Sequence, residues 1–571
     1  MSLPRLTSPA ALLRPVAVLL FAATALLAID TTQAAPQAAT AAPDPVAVEI
    51  QRRLTTDGDL SIDSLSLDLP QVRAFYQARR WKAAWGDKLD ALTPILAASD
   101  QDGLPPPNKH LNAVNARRSL TSPAAAGEID LLMTDALLRY AGAMRGQRAD
   151  PTLIEDDWLI PTPHFDAPSF LAAHVQDIVP ALQGLQPPYA AYQLLRRELA
   201  RLKGLATAGG WPKVPVGPTI KPGMSDPRVL DVRKRLAATG ELAADVPASP
   251  DYDDTLQAAV KLFQQRRGLL DDAMLGRQTI VAMNQTPADL ARQVALNMER
   301  WRWLPPKLED NHILVNVPGE WMEVVENGQA VLSMRTIVGD PDHPTPALHA
   351  HVAHLVLNPT WSVPPSIATN EILPKLQKDP GYLVANDLEI VSDRFAPGSP
   401  ESQGIGIDWK SYTSFPWTLR QSAGSDNALG RIKFVIPNTE DIYLHDTPNH
   451  KLFARTNRAL SHGCIRLDRP DDLALYLLHD KNWSPEQLSA EIEKGDTKAV
   501  PLNKHPGVWL LYWTMWVDGD GILQIRPDIY GRDERLAAAL ANPAAVRAQA
   551  LENEKTQAQP TKVLCDGCRV P

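Results

Sequence analysis

The stretch Trp321–Gly339, WMEVVENGQAVLSMRTIVG, sets the architecture of the C-terminal half. Asn327-Gly328 lies between two apolar runs, and this pair accepts the left-handed backbone that a two-residue hairpin turn requires. The spacing therefore predicts two antiparallel strands. Working outward, ILVNV (313–317) alternates before the hairpin, and HVAHLVLNPTW, RIKFVIPN and DIYLHD continue as strands after it. Behind VWLLYWTMWV, Asp518–Gly521 offers a further hairpin turn. Together these runs predict a β-rich domain over 305–535. Residues 362–430 interrupt it with a segment full of Pro, Gly, Asp and Ser. An insertion of that length inside a compact domain reads as a lid or a binding element.

Upstream the apolar period is helical rather than strand-like. Residues 47–205 carry runs such as LLMTDALLRYAGAMR (Leu131–Arg145) broken by proline-rich turns, and read as a helical scaffold without catalytic spacing. A linker spans 206–224. In 225–284, Val229, Val232 and Leu236 recur at helical spacing, as do Leu256, Ala259, Val260 and Phe263, and Gly268 suits the stop of the second helix. Residues 285–304 predict a connecting helix. Thr286-Pro287-Ala288-Asp289 supplies its cap chemistry, and Leu290, Val294, Met298 and Trp301 fall on one side.

The bulk properties bound the function. A chain of 571 residues needs several domains, and 44% hydrophobic residues suffice for packed cores. Fifty-one prolines, nearly twice the usual share of about 5%, predict many linkers and long loops. A net charge of −9 argues against a general nucleic-acid binder, since phosphate affinity needs clustered Lys and Arg. At the N-terminus, Arg5 and Arg14 precede the apolar run PVAVLLFAATALLAI (Pro15–Ile29) and small residues at Ala34 and Ala35. This is the pattern of a secretory signal over 1–34, followed by an Ala/Pro-rich leader over 35–46. The protein is expected outside the cytoplasm, in the periplasm, and an uncleaved signal would hold it at the inner membrane.

Export makes the cysteine usage informative. Cys464 is the single cysteine of the first 564 residues; Cys565 and Cys568 close a polar tail over 536–571. Two histidines frame Cys464, His462 two residues before it and His445 nineteen before it. An imidazole can take the proton of a thiol or stabilise its thiolate, yet a lone buried cysteine is often only a small apolar residue. Spacing alone leaves both readings open. His445 closes an alternating run and should sit at a strand end. If LSHGC is extended, His462, Cys464 and Arg466 share one side, Gly463 permits close approach of backbone to substrate, and Arg466 could grip a carboxylate. No cofactor motif is present. HExxH is absent, and HAHVAH (His349–His354) reads as the polar face of a strand, so no metal is expected.

These residues also carry a resemblance. YLHDTPNHKLFARTNRALSHGCIRL (Tyr443–Leu467) is similar to the signature of L,D-transpeptidase catalytic domains, an upstream histidine followed by Ser/Thr-His-Gly-Cys. VGDPDHPTP (Val338–Pro346), LNPTWSVPPSIATNEILPKLQKDPGYL and RQSAGSDNALGRIKFVIPN resemble the large members from Gram-negative bacteria. Residues 225–284 resemble the peptidoglycan-binding module of wall-active enzymes. The implied fold is multidomain α+β: a helical scaffold, a small helical peptidoglycan-binding module, then the β-rich catalytic domain with a capping insertion. The resemblance implies Cys464 as nucleophile, His445 as proton acceptor and donor, and His462 and Gly463 shaping the oxyanion site. Ser461, Arg466, Tyr443 and Trp361 would line the substrate pocket. The implied reaction links two peptidoglycan tetrapeptide stems, donor and acceptor, through a thioester to a 3→3 cross-link, with other cell-wall enzymes as further partners. Carbapenems would be acylating inhibitors. Trimming of the stem, ligation of a protein to the wall, a non-catalytic wall-binding scaffold and a zinc peptidase are the competing readings.

Overall fold

The structure, a computed structural model, describes residues 44–56, 60–543 and 545. The expected signal, most of the leader and the Cys565/Cys568 tail lie outside the described residues. Among the described residues no helix is long and apolar enough to cross a membrane.

The first part is helical, as the 3.6-residue period predicts, with a small hairpin of β1 (Ser61–Ile62) and β2 (Leu65–Ser66) added. Its longest helix, Pro123–Met144, starts at Ser122, whose side chain accepts from the Ala125 N–H. This helix is buried along most of its length, and its polar residues are spent internally. Asp130 accepts the backbone N–H groups of Ala84 and Trp85 and the Tyr76 hydroxyl. A buried carboxylate needs such donors to offset its desolvation.

The module at 225–284 folds around Val229, Val232, Leu236, Leu256, Val260 and Phe263, with Gly268 in left-handed backbone (φ +61°) after the helix Asp254–Arg266. The next helix, Pro287–Arg302, begins with a reciprocal capping box between Thr286 and Asp289. It does more than connect. Trp301 stacks on Trp513 at 4.1 Å, and the Asn297 side chain donates to Thr514 Oγ1 and accepts from the Thr514 N–H, both at 2.9 Å. A buried ion pair continues the joint, Arg300 with Asp533 at 2.5 Å, while Arg302 pairs with Glu299 within the helix itself. The helix is thereby packed firmly against the β-rich domain.

That domain is one large mixed sheet. In chain order its strands are β3 (Asn311–Asn316), β4 (Trp321–Glu326), β5 (Gln329–Gly339), β6 (Leu348–His351) and β7 (His354–Leu357). The insertion adds β8 (Trp361–Val363), β9 (Leu388–Val391) and β10 (Thr418–Gln421). Then come β11 (Ile432–Val435), β12 (Leu444–His445), β13 (Ala459–Ser461), β14 (Ile465–Leu467), β15 (Lys498–Pro501) and β16 (Gly507–Leu511), with β17 (Met515–Val517) and β18 (Leu523–Ile525) as a final hairpin. The sheet order is β15-β7-β11-β12-β14-β5-β4-β3-β16-β6, with β13 also on β5. Asn327 (φ +48°) and Gly328 (φ +79°) make the β4–β5 turn, as the sequence predicts. Apolar side chains of β3, β7, β11 and β14 and of the helix Pro470–Leu477 fill one continuous core.

Two features depart from the sequence reading. The insertion is a folded unit: β8, β10 and β9 form an antiparallel sheet over a core of Leu373, Leu376, Leu383, Trp409, Phe415 and Leu419. The helix Arg532–Ala541 runs past residue 535, where the tail was expected to begin, and buries Leu536 and Ala539.

Candidate active site

Strand pairing assembles the site. β12 and β14 run parallel, with Leu444 opposite Ile465 and His445 opposite Arg466. β11 lies antiparallel on the other side of β12, with Lys433 opposite His445. Because side chains alternate, Lys433, Tyr443, His445, Cys464 and Arg466 emerge on the same face. The rings of Tyr443 and His445 are 5.5 Å apart, and Lys433 Nζ stands 3.6 Å over the Tyr443 ring. Trp361, at the start of β8, lies close enough to Tyr443 to act on its phenol, against the burial that pushes that group's pKa up. Sequence reasoning missed Lys433. Its signal was a lysine between Ile432 and Phe434 in an otherwise apolar strand.

His445 is almost fully buried, and its Nδ1 meets the Asp446 carbonyl at 2.5 Å. Burial, reinforced by the positive charges of Arg466 and Lys433, pushes its pKa down to about 3, against the upward pull of the Asp446 and Leu429 carbonyls. The imidazole is therefore neutral at physiological pH. Asp446 is itself clamped: its carboxylate accepts the N–H of Arg431 (2.8 Å) and of Thr447 (2.7 Å) and packs directly on Gly430.

Cys464 is half-buried, with Sγ 3.7 Å from the Asp441 carbonyl. Burial raises its pKa, while hydrogen bonding from Tyr443 and the charges of Lys433 and Arg466 oppose the rise. The resting site is thus a neutral thiol near a neutral imidazole, with two cations placed to stabilise a thiolate once it forms.

Arg466 has no hydrogen-bond or ion-pair partner among the described residues, and its Nε is buried without an acceptor. Arg466 is half-buried, and a substrate carboxylate would supply the acceptor that its Nε lacks.

The motif loop is not extended. Gly463 adopts φ +100°, between β13 and β14. The Ser461 hydroxyl donates to the Cys464 carbonyl (2.6 Å) and the Thr345 hydroxyl to the Gly463 carbonyl (2.8 Å). Ser461 is therefore buried and structural here, and Thr345 is a residue the sequence reading did not find. His462 does not join Cys464 and Arg466 on one side, because the glycine breaks the alternation. Its ring lies tilted against that of His343 (centroids 4.0 Å apart) and its Nε2 meets Glu371 of the cap at 2.8 Å.

Comparison with known proteins finds likenesses along most of the described chain. Residues 310–489 match the family described as "L,D-transpeptidase catalytic domain", residues 70–199 a "Scaffold domain", and residues 225–283 a "Putative peptidoglycan binding domain". The protein named "Putative L,D-transpeptidase" from Haemophilus influenzae is 34% identical over 282 residues, which span 48% of this chain and 56% of the relative. Among solved structures, an L,D-transpeptidase from Xylanimonas cellulosilytica (residues 123–326) aligns at 15% identity over 52% of this chain and 99% of that one, with a TM-score of 0.18. An L,D-transpeptidase from Mycobacterium smegmatis aligns at 12% identity over 35% of this chain and 58% of that one, with a TM-score of 0.16. The chain therefore carries, at residues 310–489, a region similar to L,D-transpeptidase catalytic domains, joined to regions similar to a scaffold domain and a peptidoglycan-binding domain.

Proposed function

We propose that this chain is a peptidoglycan L,D-transpeptidase that forms 3→3 cross-links through a thioester on Cys464. The observation that carries the reading is the shared face of Cys464, His445, Tyr443 and the unpartnered Arg466 beneath the cap. In the first step the thiol turns from the Asp441 carbonyl toward His445. With Nδ1–H given to the Asp446 carbonyl, the other ring nitrogen accepts the thiol proton as sulfur attacks the amide after the third residue of a tetrapeptide stem. Lys433 and Arg466 stabilise the negative charge that develops. His445 then protonates the departing D-alanine amine, leaving a thioester. In the second step the side-chain amine of a second stem attacks the thioester, His445 takes its proton, and sulfur leaves as the thiol.

Gly463 and the loop around it would supply backbone donors to the oxyanion. His462 acts through the cap contact. Arg466, Tyr443 and Trp361 line the pocket for the donor stem, and the module at 225–284 holds the chain on glycan strands. The reading places the protein outside the cytoplasm, in the periplasm.

Incubation with disaccharide-tetrapeptide tests the proposal. It expects D-alanine release, a mass increment on Cys464 and 3→3 dimers, all lost in Cys464→Ala. Tripeptide as the sole product would assign stem trimming instead, and unchanged wall function of Cys464→Ala in cells would assign a binding scaffold.

A further inference from the structure

The sequence reading treated His349 and His351 as a polar strand face, but folding brings a carboxylate to them. His349 and His351 alternate on β6, so both rings project to the same side. Glu309, from the segment preceding β3, reaches over β16 to meet them: its Oε1 is 2.9 Å from His349 Nε2 and 3.7 Å from His351 Nε2. All three ligand atoms lie within 4.8 Å of one another. Around a tetrahedral zinc-type ion with bonds of about 2.0–2.1 Å, ligand atoms sit about 3.3 Å apart. The two carboxylate-to-imidazole separations bracket that value.

The surroundings hold these groups in place. Glu309 Oε2 accepts from Trp509 Nε1 at 2.7 Å, and the His349 ring stacks on the same indole at 3.8 Å. His312 Nδ1 meets the Glu309 carbonyl at 2.6 Å. Gly507, opposite His351 on β16, leaves room for the carboxylate, since a Cβ there would come within 2.8 Å of it. Such outer contacts orient ligands in metal sites. His351 is half exposed, which gives an ion access and leaves a fourth position for water.

We propose that Glu309, His349 and His351 form a binding site for a first-row divalent cation of the zinc class, outside the acyl-transfer site. The ion would take the place of the Nε2–H that faces Glu309, His349 passing to its Nδ1–H tautomer by proton exchange with solvent, and would bind two imidazole nitrogens and one carboxylate oxygen. β6 is the terminal strand of the sheet order, and among the described residues its outer side meets only an isolated bridge, Trp158 with Ala347 just before the strand. A metal there ties the edge strand to the segment leading into β3, so its role is to brace the sheet.

The test uses the full chain with Cys464, Cys565 and Cys568 replaced by alanine, which removes the thiol ligands. Titration with Co²⁺, read by visible absorption, and with Zn²⁺, read by competition, is compared with the same protein carrying His351→Ala, His351→Gln or Glu309→Gln. Circular dichroism identifies the folded variants, and the half-exposed His351 makes its two substitutions the least disruptive. The proposal expects one saturable equivalent with four-coordinate Co²⁺ bands, and at least tenfold weaker binding in the folded variants. No saturable binding, or a change below tenfold in the His351 variants, overturns it.

Discussion

Gly430→Ala should disable the site without touching a reacting group. Gly430 sits at φ +61°, where an L side chain costs about 1–2 kcal/mol. Its new Cβ would fall on the Asp446 side chain, 2.5 Å from that residue's own Cβ. Relieving such overpacking costs about 1–3 kcal/mol more, so the expected destabilisation is about 2–5 kcal/mol. Asp446 cannot yield freely, because its carboxylate holds two backbone N–H groups and its carbonyl holds His445 Nδ1. A shift of about 1 Å at the base lowers turnover about a hundredfold. The assay pairs urea denaturation with the rate of D-alanine release from a tetrapeptide stem, measured under conditions where the variant stays folded. Gly424→Ala, in the same loop, is the control, since a Cβ there meets nothing within 4 Å. If Gly430→Ala matches the control in both stability and rate, the positioning of His445 through Asp446 is refuted.

Other predictions follow from the charges around the thiol. Burial holds Cys464 above the ordinary thiol value of 9.0, and Lys433 opposes that rise, so Lys433→Met should move the pH midpoint of Cys464 alkylation further up; an unchanged midpoint removes Lys433 from the account. His445, held to about 3 against an ordinary 6.5, resists protonation that the unfolded chain accepts. Its contribution to stability is full above pH 6.5 and falls as pH drops toward 3, so His445→Gln should flatten the loss of urea midpoint between pH 7 and pH 4. Arg466→Ala should raise KM for the donor stem about tenfold or more, as expected for loss of a charge-assisted hydrogen bond, whereas a purely structural Arg466 would leave KM unchanged in the folded variant. Glu371→Ala removes the cap's ion pair with His462, and limited proteolysis should then cut residues 362–430 faster than in wild type.

What the sequence disclosed depended on the range of each signal. Asn327-Gly328 and the Thr286 cap are local, and they produced the hairpin and the helix start where expected. The alternation in DIYLHD put His445 at a strand end. Cross-strand neighbours were less legible: Lys433 meets Tyr443 through pairing of β11 with β12, which no short window contains. The alternation rule misplaced His462 because Gly463 turns the chain at φ +100°. Composition misled for 362–430, where Pro and Gly suggested a loop although Leu376, Trp409 and Leu419 are spaced to build a core. Glu309 and His349 lie forty positions apart, and only the parallel pairing of β3 with β16 and the antiparallel pairing of β16 with β6 bring them together.

The most direct test of the central claim is intact-mass spectrometry of the protein mixed with a disaccharide-tetrapeptide donor, or with a carbapenem as a slowly released surrogate. The account predicts a single acyl increment, mapped to Cys464 and absent from Cys464→Ala. It also predicts slow formation in His445→Gln. An equal increment on Cys464→Ala, or none on the wild type while D-alanine is still released, would contradict it.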